Sequence, residues 1–189
     1  MTHYRLKELG RIITGKTPSS KESGVISDYK SDYLFVTPRD MNQQEKEIVV
    51  TERYITGKVS PSFNKIILRG QSICVSCIGT IGKVFKVTSP AITNQQINSI
   101  TDINLEKCDP DYLYYLLSTM TEEIENLAGG TTMPIVNKTA FESLEVELPE
   151  LSMQNKAAEI LSRIDDKITS NNRTNDNLCH ILYCHAFIR

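Results

Sequence analysis

The sequence has little that would place it in a membrane or outside the cell. No apolar run approaches the ~20 residues that a transmembrane helix needs. The first residues, Met1 to Lys7, lack the apolar core of a secretory signal. The five cysteines are an odd number without such a signal, which argues against a disulfide framework. We therefore expect a cytoplasmic protein without membrane contact.

Motifs that would indicate catalysis are also missing. There is no Asn-Pro-Pro-Tyr/Phe motif and no glycine-rich cofactor loop after a strand, so a methyltransferase domain is not expected. The segment 79–83 lacks the spacing of a phosphate-binding loop. Asp165, Asp166 and Lys167 could be read as a nuclease motif, but a solvated face of a helix explains them more simply. The three histidines have no partner at triad spacing.

Cys74 and Cys77 have the CxxC spacing of some zinc and redox sites. A zinc site would need a second ligand pair, and the segments 179–180 and 184–185, each Cys-His, are the candidates. The alternative is a strand, in which positions i and i+3 point to opposite faces of a sheet. We favour the strand and expect no metal in this chain.

Charge is distributed unevenly along the chain. Residues 1–100 carry 14 Lys and Arg against 8 Asp and Glu, a net charge of +6, whereas residues 101–189 carry 7 against 15, a net charge of −8. A basic portion can bind phosphates while an acidic portion faces elsewhere. Uneven surface composition would also explain the asymmetry.

Residues 1–150 are typical of a mixed α/β domain. Segments 33–37, 72–78, 83–87 and 96–100 are rich in β-branched and apolar residues and predict strands. Asp109 is a good N-cap for a helix that follows, with proline at its first position. We expect a mixed, partly antiparallel sheet.

Residues 151–189 predict a long helix that serves dimerisation. Apolar residues recur at the three- and four-residue spacing of a coiled-coil seam. The seam consists of Ala157, Leu161, Ile164, Ile168, Asn171, Asn175, Leu178 and Leu182. The asparagines can fix the register of pairing, or the polar run 170–175 can mark a break in the helix. A seam this long exceeds what so small a domain can cover, so we expect another long helix as its partner.

The order of short motifs along the chain resembles one half of the specificity subunit of type I restriction–modification enzymes. The matching segments are, in order, LKELGRIITGKTP, FVTPRDM, ILRGQSI, GTIGK, NQQIN, GGTTMP and LPELSMQN. Each motif alone is weak, but seven in this order over nearly the whole chain form a specific signal. Family members usually hold two recognition domains and two long helices, whereas this sequence has one of each. The resemblance therefore fits a natural half-subunit, a truncated gene product or an excised piece of a longer subunit.

The resemblance implies a non-catalytic protein that binds double-stranded DNA and directs partner methyltransferase and restriction subunits to a bipartite target. It places S-adenosylmethionine, ATP and Mg²⁺ on those partners. Antiparallel pairing of two copies through the C-terminal helix would give a homodimer. The alternatives are a recognition domain detached from a fused restriction–methyltransferase enzyme, a CxxC redox protein and a structural coiled-coil adaptor, although an adaptor has no need of the basic N-terminal portion.

Side-chain chemistry beside the predicted turns gives the candidate DNA contacts. Arg reads guanine, and Asn or Gln reads adenine, through paired hydrogen bonds in the major groove. Candidates for base reading are Arg39, Asn94, Gln95, Gln96 and Asn98. Lysine, arginine and hydroxyl groups position phosphates. Candidates for that role are Lys16, Thr17, Lys58, Arg69, Thr80, Lys83, Thr131 and Thr132. We expect about half of them to touch DNA, since any one can instead lie on the solvent face of a strand.

Overall fold

The computed structural model describes residues 1–19, 26–42, 46–56, 61–129 and 133–186. The strands in these ranges are β1 (Thr2–Arg5), β2 (Arg11–Thr14), β3 (Ile26–Ser27), β4 (Tyr33–Val36), β5 (Tyr54–Ile55), β6 (Ser72–Ser76), β7 (Val84–Val87), β8 (Ala91–Thr93), β9 (Ile97–Thr101) and β10 (Glu145–Leu148). The helices are α1 (Leu6–Leu9), α2 (Pro61–Asn64), α3 (Pro110–Thr119), α4 (Thr121–Asn126), α5 (Lys138–Ser143) and α6 (Leu151–Ala186), and one 3-10 turn spans Asp40–Asn42.

The strands are divided among three sheets. The first has the order β2-β9-β6-β7 and is antiparallel throughout. The second has the order β3-β5-β4-β8, and its β4 and β8 run parallel. The third is the pair β1-β10. The predicted fold class, a mixed and partly antiparallel sheet followed by a long helix, is confirmed.

The first sheet lies in the middle of the domain and is covered on both faces. Every residue of β6 and β9 is buried, as expected for strands with packing on both sides. Leu113 of α3 and Phe141 of α5 belong to the core on one face. Val36 of β4 and Ala91 of β8 belong to the core on the other. The domain therefore has three layers, with helices, the first sheet and the second sheet stacked in that order.

Cys74 and Cys77 lie on opposite faces of this central sheet. Cys74 packs against the second sheet and accepts a hydrogen bond from the Ser99 hydroxyl at 3.2 Å. Cys77 packs on the helical side and accepts one from Asn98 Nδ2 at 3.1 Å. Burial raises the pKa of Cys74 to about 12 and that of Cys77 to about 11. Both are therefore neutral thiols, and metal ligation or redox attack requires the thiolate.

The described residues contain no group of three or more His, Cys, Asp or Glu arranged to hold a metal ion. None of the helices in the described ranges has the length and apolar character needed to cross a bilayer.

The two helices that matter most for the architecture begin as their sequences predict. The Asp109 side chain caps α3 by accepting from the Tyr112 amide at 2.8 Å. The long helix α6 begins at Leu151 and continues through 170–175 without a break. Its 36 residues make a rod of roughly 54 Å at ~1.5 Å per residue.

Candidate functional site

Loops distant in sequence meet at one edge of the two larger sheets. Because β4 and β8 run parallel, the residues that follow them, 37–39 and 94–96, leave the second sheet at the same edge. The amide of Asn94 donates to the Val36 carbonyl at 2.9 Å. The strand β6 also ends here, since the Cys77 amide donates to the Gln96 carbonyl at 2.7 Å. We call the described residues 15–17, 37–39, 77–83, 94–96 and 133–135 the loop edge.

The segment 15–17 is fixed against the turn 94–96. The Gly15 amide donates to the Ile97 carbonyl at 3.1 Å, and the Lys16 amide to the Thr93 carbonyl at 3.0 Å. The Thr17 hydroxyl lies 2.6 Å from Gln95 Oε1 and donates to it. A candidate phosphate contact and a candidate base reader are therefore direct neighbours, although 78 residues separate them.

The remaining two segments join the loop edge through β6. Ile78 pairs with Ile135, and the Val136 amide donates to the Cys77 carbonyl at 3.0 Å. The Ser76 hydroxyl accepts from the Lys83 amide at 3.0 Å and donates to the Thr80 carbonyl, which closes the turn 77–83. The candidates Thr131 and Thr132, like Lys58, lie outside the described residues.

The side chains that this edge presents to solvent include most of the predicted set. Lys16, Thr17, Arg39, Thr80 and Gln95 are exposed, and Lys83 and Gln96 are half-buried. Arg39 has 79% of its side chain exposed, and its guanidinium lies 4.0 Å from the Glu52 carboxylate. Arg39 lies on a turn that the buried carboxylate of Asp40 stabilises by accepting from the Thr37 amide and hydroxyl, both at 2.8 Å. That any of these residues touches DNA stays a prediction.

Asn98 has a role within the domain that the sequence did not reveal. It is 2% exposed. Its Nδ2 donates to Cys77 Sγ and to the Val136 carbonyl, both at 3.1 Å, while its Oδ1 accepts from the Thr14 hydroxyl at 2.6 Å. These bonds tie β9 to β2 and to the segment after 135.

Asn94 is also buried, and its side chain stabilises the turn 94–96 through two hydrogen bonds. Its Oδ1 accepts from the Gln96 amide at 3.0 Å, and its Nδ2 donates to Gln96 Oε1 at 2.9 Å. Asn94 is thus engaged by Gln96, whereas Gln95 between them points outward. Because both side chains are buried, Asn94 and Asn98 are unsuited to reading bases.

Arg69 is exposed but lies at the opposite edge of the sheet. It precedes β6, whose first residue, Ser72, pairs with Val87. The strand β6 ends at Ser76, on the loop edge, so its length alone separates the two edges by ~13 Å. The structure does not bring Arg69 together with the other candidates.

The apolar seam of α6 is a second exposed feature. The exposed fractions of Leu161, Ile164, Ile168 and Leu178 lie between 38% and 53%. Ala157 is half-buried, Asn171 and Asn175 are exposed, and the side chain of Leu182 is outside the described set. Met153 and Ile160, which the heptad pattern left out, are also exposed and border the seam.

Comparison with known proteins identifies the chain's relatives. A family model described as "Type I restriction modification DNA specificity domain" matches residues 1–179. The specificity subunit of the HindI type I restriction enzyme of Haemophilus influenzae is 33% identical over 184 residues, which cover 93% of this chain and 38% of the relative. The MjaIX specificity subunit of Methanocaldococcus jannaschii is 31% identical over 178 residues, which cover 92% and 40%.

A solved structure has the same fold. The S subunit of a type I restriction–modification system from M. genitalium aligns with a TM-score of 0.63 at 19% identity, over 89% of this chain and 40% of that one. This chain therefore spans less than half the length of the relatives that it matches.

The loop edge gives a stability prediction at Gly15. A Cβ atom built there would lie 2.2 Å from the Asn94 carbonyl oxygen and 2.3 Å from that of Thr93. Because both neighbours are backbone atoms, Gly15→Ala should push the segments 15–17 and 94–96 apart and lower the free energy of unfolding by about 1–3 kcal/mol. Urea denaturation measures this change. Gly129→Ala is the control, since nothing lies within 4 Å of its added Cβ; equal losses in both variants would contradict the packing.

Proposed function

We propose, because this chain belongs to the family of type I restriction modification DNA specificity domains, that it reads a short DNA sequence through its loop edge and performs no chemistry itself. One observation carries the proposal. Seven of the candidate DNA contacts that the structure describes come from loops distant in sequence and are presented together at one edge. In this proposal the edge faces the major groove.

The proposed division of labour follows from exposure and chemistry. Arg39 and Gln95 are exposed and carry groups that can form paired hydrogen bonds with guanine and adenine, respectively. The Thr17 hydroxyl, bonded to Gln95 Oε1, restricts that amide before DNA arrives. Lys16, Thr80 and Lys83 flank these readers and would contact phosphates, which fixes the domain's position on the duplex without reading sequence.

We propose further that partner subunits supply the catalysis. The relatives' names describe specificity subunits of restriction enzymes, and nothing observed favours the alternative of a domain detached from a fused enzyme. On this proposal the chain binds methyltransferase and restriction subunits. S-adenosylmethionine, ATP and Mg²⁺ would then bind to those partner subunits. The loop edge would direct the partner subunits to the target.

The long helix supports a homodimer. Its side chains that pack on the domain are Gln154, Ala158, Ser162, Asp165 and Thr169, which we call the docking stripe. The seam lies about a third of a turn away around the helix, so the helix turns a mostly polar face to its own domain and an apolar face outward. An exposed apolar stripe with heptad spacing is the surface that a second helix covers.

A homodimer would determine the form of the target. Antiparallel pairing places the two loop edges toward opposite ends of a helical spacer of roughly 54 Å. A two-fold axis then relates the two readers, so the target would be an interrupted palindrome with an unread gap. A subunit with two different recognition domains would instead read an asymmetric target.

Substitutions at the loop edge test the DNA-reading proposal. With methyltransferase present, Arg39→Ala or Gln95→Ala should reduce discrimination between target and non-target duplex by about 1–3 kcal/mol. Lys83→Ala should weaken binding to both duplexes equally and reduce the salt slope by about one. Fluorescence anisotropy over a salt series measures both effects.

The matched control is Arg69→Ala, which removes the same side chain and charge from the opposite edge. It should leave discrimination unchanged. Loss of discrimination in Arg69→Ala but not in Arg39→Ala would place the reading surface at the other edge. No methyltransferase-dependent DNA binding at low salt would refute the proposal as a whole.

Charge on the seam tests the homodimer. Light scattering should give twice the chain mass of 21.3 kDa, and Ile164→Asp with Ile168→Asp should shift it toward the monomer, because carboxylates would be buried in an apolar contact. The control is Ser170→Asp with Asn177→Asp, which adds the same charge at exposed positions away from the seam. A wild-type chain that stays monomeric at tens of micromolar would rule out the homodimer.

A further inference from the structure

A network of polar side chains attaches the middle of the long helix to the domain. The segment 46–48 runs beside β7, because the Lys86 amide donates to the Lys46 carbonyl at 2.8 Å and the Ile48 amide to the Lys86 carbonyl at 2.9 Å. The bridge pairs Glu47 with Lys86, and the side chains of Lys46 and Lys86 both reach α3. On α3 they meet Asp111, whose carboxylate lies 3.6 Å from Lys46 Nζ and also accepts from Lys86 Nζ.

The network continues from these groups onto α6. Lys46 Nζ donates to the Ser162 hydroxyl at 2.9 Å and lies 3.4 Å from the Tyr115 hydroxyl. The Tyr115 hydroxyl donates to Asp165 Oδ2 at 2.6 Å. Burial and the bond to Asp165 raise the pKa of Tyr115, so it remains a neutral donor. Two lysines and two aspartates thus balance in charge across α3, β7, the 46–48 segment and α6.

The position of the network along α6 matters as much as its composition. The helix has an earlier attachment at Gln154, which is 1% exposed, donates to the Lys107 and Pro149 carbonyls and accepts from the Asp109 amide. Asp165 lies 11 residues further along, or ~16 Å. A cavity of about 190 Å³, bordered by Met41, Tyr114 and Ile168, opens beside it. Gln154 and the network therefore attach α6 to the domain at two separated points, and two points fix the direction of the helix axis.

Hydrogen bonds and ion pairs constrain direction, whereas apolar burial does not depend on angle. Between the two points the docking stripe offers only Ala158, a small side chain that permits pivoting. Loss of the network would leave α6 held at Gln154 but free to change its angle. A change of about 10° at Gln154 would move the helix end, ~48 Å from that residue, by ~8 Å, more than the ~3.4 Å rise of one base pair.

We infer that Lys46, Asp111, Tyr115, Ser162 and Asp165 are positioning residues that set the direction of α6 on the domain and thereby the length of the unread gap between two half-sites. The inference rests on the proposed homodimer that reads a bipartite target. The hydrogen bonds and ion pairs described for the network involve no loop-edge residue and no seam side chain. Loss of the network should therefore alter the geometry between the two readers while leaving each reader and the pairing intact.

Selection from random DNA measures the gap directly. The full chain, together with its methyltransferase partner, is incubated with a duplex library carrying 40 random base pairs, and bound duplexes are sequenced. The wild type should enrich paired half-sites at one gap length. Tyr115→Phe, which removes only the hydroxyl, and Asp165→Ala should enrich the same half-sites spread over three or more gap lengths. Asp165→Asn keeps an acceptor oxygen for Tyr115 and should be closer to the wild type than Asp165→Ala.

The control is Tyr112→Phe, the same change one turn earlier on α3, outside the network. A single unchanged gap in Tyr115→Phe and Asp165→Ala would overturn the inference, as would an equal spread in Tyr112→Phe. If the wild type enriches single half-sites or none, the proposed function fails instead.

A measurement without DNA also distinguishes failure of this inference from failure of the proposed function. Small-angle X-ray scattering of the dimer should show a broader distribution of interatomic distances for Tyr115→Phe than for wild type or Tyr112→Phe. An unchanged distribution in Tyr115→Phe would show that α6 keeps its direction without the network.

Discussion

The turn at residues 94–96 is the constraint on which the arrangement of the loop edge depends. It leads from β8 of the second sheet to β9 of the first, so it joins the two layers. At the start of the turn the Asn94 amide donates to the Val36 carbonyl, which precedes the 37–39 loop. At its end the Gln96 carbonyl accepts from the Cys77 amide, where the 77–83 loop begins. Because both bonds are between backbone atoms, the position of each neighbouring loop is fixed without using an exposed side chain. Arg39, Gln95 and Lys83 lie at the surface on a backbone that the core holds in place.

The sequence predicted the features that depend on local pattern. The strands β4, β6, β7 and β9, the cap at Asp109 and the long helix could be recognised from spacing and residue type, and the seven motifs in order indicated the family. The short strands β3, β5 and β8 were not recognised. The burial of Asn98 could not be predicted, because it depends on β2 and on the segment after 135 closing over β9. The separation of Arg69 from the other candidates likewise depends on which end of β6 meets the turn 94–96. The network around Tyr115 joins residues from four distant segments, and no spacing in the sequence connects them.

In the proposed homodimer, the long helix would link the reading of a half-site to the geometry of the whole target. Its docking stripe carries polar groups that satisfy specific partners on the domain, such as Gln154 and Asp165, and polar contacts fix an orientation that apolar packing would leave loose. Its seam carries apolar groups, whose burial favours association without selecting an angle to the domain. With the two groups on different faces of one helix, each copy in the proposed homodimer could hold its own reader rigidly while pairing with another copy.

In the proposed homodimer, two identical readers at the ends of one spacer define the target of this chain. Methylome sequencing of cells that carry the chain with its methyltransferase partner distinguishes this arrangement from others, because methylation marks each recognised site in the genome. A homodimer should give methylation at one interrupted palindrome with identical half-sites and a constant gap. Methylation at sites with unrelated half-sites would exclude the homodimer and indicate pairing with a different half-subunit.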